Sequence, residues 1–184
     1  MIAATGRREC STDDLLRFKP EHSSFVGIDS DGCVFNTMEV KQKRCMHGLI
    51  VSHWNLGPIE KAVRETAEFV NLHSKWRGSN RFAALLMVFE LLRGHPSAKA
   101  PGVRLPDTGA LRRFVDSGRP LGNPELEKAA RETRDPELEA LLKWSTAVNA
   151  LIARMAKNIP PFPWALESLR RISEKSDAIC VSQT

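Results

Sequence analysis

Two rhythms of apolar residues run through the chain. Phe25-Val26-Gly27-Ile28 and Ala178-Ile179-Cys180-Val181 are short runs bounded by polar or turn-forming residues, the spelling of buried strands. Between them the spacing changes to three and four. Ile59, Val63, Ala67 and Val70 form one face, and Phe82, Leu85, Leu86, Phe89 and Leu92 a second. Leu138, Leu141, Leu142, Ser145, Val148, Leu151, Ile152 and Met155 mark a third, longer stripe. From Met38 to about Ile159 the pattern is almost wholly helical, and helix starts are spelled out in it. Gly57-Pro58 precedes the first face, Asp107 is placed to cap Thr108 to Asp116, and Asn123-Pro124-Glu125 and Asp135-Pro136-Glu137 each set a capping side chain before an N1 proline and an acidic first turn. The two copies of Pro-Glu-Leu-Glu are similar helix starts rather than a repeat, since the residues after them diverge. Gly94 and Pro96 end the second face, and the Pro/Gly-rich stretch from His95 to Pro106 predicts a flexible excursion.

The two ends differ from the middle. Ser11-Thr12-Asp13-Asp14 caps a short helix through Leu15, Leu16 and Phe18, stopped by Pro20. Ile159-Pro160-Pro161-Phe162-Pro163 is a stiff extended linker, followed by a helix from Trp164 to Lys175 and then the second strand. Helix followed by short apolar strand is the grammar of a parallel sheet. The expected fold class is therefore α/β: residues 1–37 and 160–184 form a core with two recognisable parallel strands, and residues 38–159 are a large inserted all-helical domain.

Composition narrows the class. The 184 residues are 42% hydrophobic and 27% charged, as in a globular protein with a sizeable core. No uninterrupted apolar span is long enough for a transmembrane helix, and Met1 to Glu9 lacks a signal-peptide apolar region. Cys10, Cys33, Cys45 and Cys180 are scattered without a Cys-x-x-Cys pair, which argues against a disulfide framework or a zinc site. The default location is the reducing cytoplasm. The net charge of +5 comes from basic residues interleaved with acids. No block of like charge and no nucleic-acid motif stands out, so nucleic acid is not an expected partner.

The chemistry-bearing stretch comes directly after the first strand: Asp29-Ser30-Asp31-Gly32-Cys33-Val34-Phe35. In extended chain, residues two apart project to the same side, so Asp29 and Asp31 would leave the strand end together. Gly32 permits a turn that a Cβ would resist. Two carboxylates at the carboxyl end of a strand suit a divalent cation and a phosphate, although a solvated Asp-Gly turn has the same spelling. A calcium loop needs a ligand-rich continuation with a later Glu, which Cys33-Val34-Phe35 does not supply.

An apolar strand running into Asp29-Ser30-Asp31-Gly32 resembles the first motif of the haloacid dehalogenase (HAD) superfamily. The proline-rich entry, leucine-bearing helix and hydrophobic strand ending at Ser182 resemble the approach to its second motif. The helical block lies where that family can insert a cap, and Trp76-Arg77-Gly78-Ser79-Asn80-Arg81-Phe82 is similar to a cap segment of one branch. The resemblance implies an incomplete HAD-like Rossmannoid core with a helical cap, and a Mg²⁺-dependent phosphatase acting on a small phosphorylated metabolite through an aspartyl-phosphate. Asp29 would be the nucleophile and Asp31 the general acid/base, with Mg²⁺ on the Asp29 side chain and the Asp31 carbonyl. Backbone amides at Gly32 and Cys33 would face the transferred phosphoryl group, Ser182 would bind a phosphate oxygen with Thr184 a weaker candidate, and Arg77, Asn80 and Arg81 would reach the substrate anion from the cap.

Blander roles stand beside these. Asn80 is equally a helix cap with solvated arginines around it, Ser182 an ordinary strand-end hydroxyl, and Cys33 a packing residue. His47, His53, His73 and His95 lack metal-ligand spacing, and Trp54, Trp76, Trp144 and Trp164 read as packing residues. The family's later lysine and distal acids have no match before Thr184. The chain is therefore expected to be the amino-terminal part of a larger hydrolase, inactive or weak alone. Two parallel strands leave free edges, which predicts self-association or a complementing chain. The competing expectation is a non-catalytic helical binding or interaction module.

Overall fold

The computed structural model describes residues 11–155 and 159–181. Helix dominates, with two parallel strands, so the α/β reading holds at that level. The chain divides into two compact units, residues 1–34 with 161–184, and residues 35–160.

The smaller unit contains helix α1 (Thr12–Leu16), strand β1 (Phe25–Ile28), helix α9 (Ala165–Ser173) and strand β2 (Asp177–Cys180). Ser11 caps α1 as expected, its hydroxyl accepting from the Asp14 amide while the Asp14 carboxylate accepts from the Ser11 amide, a capping box. Strands β1 and β2 pair in parallel register, Phe25 opposite Asp177 and Ile28 opposite Cys180. The Asp177 amide donates to the Ser24 carbonyl at 3.0 Å and the Val181 amide to the Ile28 carbonyl at 2.9 Å, extending the ladder at both ends. A Cβ at Gly27 would lie 3.0 Å from Val181 Cγ2, so this position favours glycine.

The expectation of buried strands is corrected here. Phe25 is 70% exposed and Val26 36%, and of the β2 residues only Asp177 is buried. A sheet of two short strands has no second layer over each face, so apolar spelling alone does not bury it. What fixes the sheet is polar: the Asp177 carboxylate accepts from the Glu21 amide at 3.3 Å, from the His22 amide at 3.2 Å and meets the His22 ring at 3.3 Å. Burial alone would raise the Asp177 pKa, but the combined hydrogen bonds from His22 and Glu21 lower it below the ordinary carboxylate value.

The larger unit is helical throughout. Helix α2 (Thr37–Glu39) runs into a π-helical segment, Val40–Met46, and on into α3 (His47–His53). A 3₁₀ turn, Gly57–Ile59, opens α4 (Glu60–Glu68), which ends in a second π-helical segment, Phe69–His73. Then come α5 (Arg81–Gly94), a 3₁₀ turn over Pro96–Lys99, α6 (Gly109–Val115), α7 (Asn123–Thr133) and α8 (Pro136–Met155). The periodic faces read from sequence are the core. Val63, Ala67 and Val70 on one, and Phe82, Phe89 and Leu92 on another, are at most 1% exposed. Trp144, absent from the expected stripe, is the largest fully buried side chain, and Trp54 packs 5.7 Å from it and 5.0 Å edge-on to Phe89. Trp164 contradicts the packing expectation: it is 81% exposed and has a positive φ of 67° at the start of α9.

The α8 start follows its expected cap, at α6 the N-cap is Thr108 with the Asp107 side chain beside it, and α7 departs altogether. Asp135 accepts from the Glu137 amide at 2.9 Å, and Asp107 from the Thr108 and Gly109 amides at 2.7 and 3.1 Å. At α7, however, the N-cap is Gly122, with no side-chain hydrogen bond, and Asn123 sits inside the helix. Its amide oxygen instead accepts from the Ser145 hydroxyl at 2.6 Å, a tertiary bond that competes with capping. Among the described residues no helix is long and apolar enough to cross a membrane.

Candidate functional site

The acidic stretch leaves β1 in the smaller unit. Ile28 ends the strand, Asp29 follows it exposed to solvent, and Asp31 is half-buried. The Val34 amide reaches back to the Ser30 carbonyl at 3.1 Å, closing a tight turn, and Gly32 within it takes a φ of 78°. That left-handed conformation is the reason glycine suits the position. Val34 is buried and its carbonyl accepts from the Phe162 amide at 2.8 Å, which anchors the turn to the segment entering α9.

The amides of Gly32 and Cys33 have no hydrogen-bond partner among the described residues. Successive amides around a left-handed glycine can form a concavity suited to an anion. Cys33 is exposed and carries a free thiol. Asp29, Asp31 and the amides after them thus lie on one turn at the carboxyl end of a parallel strand, where ligands of open α/β sheets bind.

The same turn bears on a divalent cation. Two aspartates offer hard oxygen donors, the type Mg²⁺ takes, and Mg²⁺ needs only one or two carboxylates when water and phosphate complete its shell. Asp29 and Asp31 fit that requirement in kind. Among the described residues no three His, Cys, Asp or Glu side chains converge into a metal cluster.

The residues expected to bind substrate from the helical domain divide. Asn80 is the N-cap of α5: its Oδ1 accepts from the Phe82 amide at 3.0 Å and its Nδ2 donates to the Leu121 carbonyl at 2.7 Å, so both ends of its amide serve the fold. Arg81 is half-buried, its Nη1 donating to Asn149 Oδ1 at 2.6 Å and to Ser145 Oγ and O at 3.3 and 3.4 Å. Arg77 is exposed. Ser182 and Thr184 lie outside the described residues.

Two buried polar groups of the helical unit stand out: His47, which the sequence marks only as lacking metal-ligand spacing, and Gln42, which it does not mark at all. His47 is 1% exposed, with no partner for Nε2 among the described residues, and burial lowers its pKa to about 4. Gln42, one π-turn earlier, is also buried with an unpartnered Oε1, and its carbonyl accepts the His47 amide. The wide turn that stacks these residues is invisible to a search for 3.6-residue periodicity.

No family model matches the chain, and neither a curated protein nor a solved structure matches it.

Proposed function

We propose that the chain carries the nucleophile corner of a HAD-like phosphohydrolase acting on a small phosphorylated metabolite. The observation that supports this most is the juxtaposition at one strand end: exposed Asp29, half-buried Asp31 two residues on, and the Gly32 and Cys33 amides in a glycine-enabled turn. An Asp29 carboxylate oxygen attacks phosphorus, forming a new O–P bond as the bond to the substrate's leaving oxygen breaks. Protonated Asp31 gives its proton to that oxygen, and then, as carboxylate, takes a proton from the water that attacks phosphorus and frees Asp29. The Gly32 and Cys33 amides donate to the non-bridging oxygens, where charge accumulates. Mg²⁺ held by Asp29 and Asp31 would neutralise phosphate charge.

Assigning the acid/base role to Asp31 has a testable asymmetry. Asp29→Asn removes the nucleophile and should abolish both the covalent intermediate and turnover of an aryl phosphate with Mg²⁺. Asp31→Asn should leave the first transfer to a good leaving group partly intact and slow hydrolysis of the intermediate, so that phosphoprotein accumulates. Turnover by Asp29→Asn equal to that of the parent chain would overturn the assignment.

A second reading, a non-catalytic helical binding module, draws on the core of the helical unit, which is built without any residue of the acidic corner. It predicts ligand binding that is indifferent to both aspartate substitutions.

A further inference from the structure

Arg81 differs from the other engaged arginines of the helical unit. Arg64, Arg112, Arg113 and Arg119 each meet a carboxylate, at 2.6, 2.9, 3.3 and 3.1 Å. Arg81 meets none among the described residues, although it is the one that burial disturbs, with its pKa lowered by desolvation. A partly desolvated guanidinium held only by neutral oxygens is an uncompensated charge, and such charges are costly unless something pairs them.

The polarity of the surrounding hydrogen bonds says what would pair it. Asn149 Oδ1 accepts from Arg81 Nη1, as do the Ser145 carbonyl and hydroxyl oxygens. The Ser145 hydroxyl spends its proton on Asn123 Oδ1 at 2.6 Å. Each of these oxygens is therefore engaged inside the cluster. Left over, with no partner among the described residues, are Nε and Nη2 of Arg81 and the Nδ2 groups of Asn123 and Asn149. Ser145 is fully buried and anchors the group, whereas Asn149 is exposed and gives access from solvent. Among the described residues the cluster presents surplus donors, a positive charge and no carboxylate. That is the donor set for an oxyanion, which accepts hydrogen bonds on every face.

We propose that Arg81, Asn123 and Asn149 form a binding site on the helical unit for a small oxyanion, a phosphate or a carboxylate group. The site does not depend on Asp29 being a nucleophile. Ser145 is a positioning residue: its hydroxyl fixes Nη1 and the Asn123 amide in one arrangement.

The test is calorimetric titration of the full chain with inorganic phosphate, and separately with acetate, at constant ionic strength and with EDTA present. Saturable binding of either anion is expected, and the tighter of the two names the oxyanion class. Asn149→Asp places a carboxylate beside Nη1 and should weaken binding at least about tenfold, or about 1.4 kcal/mol, with the thermal midpoint unchanged or raised. Because that position is exposed, the variant is expected to fold, which Arg81→Gln is not guaranteed to do. Absence of saturable binding, or equal affinity in Asn149→Asp, overturns the site. Loss of binding in Asp29→Asn with retention in Asn149→Asp would also overturn it, while supporting the acidic corner as the anion site.

Discussion

Lowering the pH from 7 to 5 should destabilise the helical unit through one side chain, His47. Its ring is buried, Nε2 has no hydrogen-bond partner among the described residues, and charged groups pull on it in both directions, Glu68 and Glu39 against Arg64 and Lys43. Desolvation therefore dominates and favours the neutral ring. The pKa in the folded chain is about 4, against 6.5 for an ordinary histidine. A histidine depressed in this way takes up its proton more readily when unfolded. Stability is consequently full above about pH 6.5 and falls as pH drops toward 4, where the loss levels off. At 1.36 kcal/mol per pKa unit, a difference of about 2.5 units corresponds to about 3 kcal/mol at the plateau and about 2 kcal/mol at pH 5. Urea unfolding at pH 7 and pH 5, followed by circular dichroism of the helices, measures it for the parent chain and for His47→Leu. Leucine fills a similar volume without an orphaned polar atom, so the variant should match or exceed the parent at pH 7 and lose most of the pH 5 deficit. The reasoning is refuted if His47→Leu shows the same loss between pH 7 and pH 5 as the parent.

Glu137 sits at the start of α8 but its carboxylate accepts from the Ala110 and Leu111 amides at the start of α6, both at 2.9 Å. Truncation by Glu137→Ala should cost about 2 kcal/mol, and Glu137→Gln, which keeps one acceptor, about half as much, read from urea midpoints. In the smaller unit, Asp177→Asn should release the 21–22 segment from β2, seen as faster amide exchange at Glu21 and His22. Because the folded pKa of Asp177 is depressed, the parent should retain protection at neutral pH and show the same release only as pH falls through that folded pKa, below the ordinary carboxylate value.

How much of this was legible depended on whether the partner lies near in sequence. The faces Ile59–Val63–Ala67–Val70 and Phe82–Leu85–Leu86–Phe89–Leu92 were readable because helix periodicity is local, and both became core. Asp135 and Asp107 were readable as caps for the same reason, since a capped amide is one or two residues away. Asn123 does not cap α7, because Ser145, 22 residues on, takes its oxygen, which no local pattern encodes. Glu137 was read only as a first-turn acid, since its partners are 26 and 27 residues back. Strand burial failed for Phe25 and Val26 because it depends on a covering layer that the strand's own spelling does not encode. In the candidate site, the turn at Gly32 was legible from its φ requirement, whereas the commitment of Asn80 to Phe82 and Leu121 needed coordinates.

The claim that Asp29 attacks phosphorus is tested most directly by acid-quenching the chain during incubation with Mg²⁺ and an aryl phosphate, then mapping the peptide that carries Asp29 and Asp31 by mass spectrometry. The account predicts one acid-stable, hydroxylamine-labile phosphoryl group on Asp29, more abundant in Asp31→Asn and absent from Asp29→Asn. A phosphoryl group on Asp31 or elsewhere, or undiminished labelling in Asp29→Asn, would contradict it.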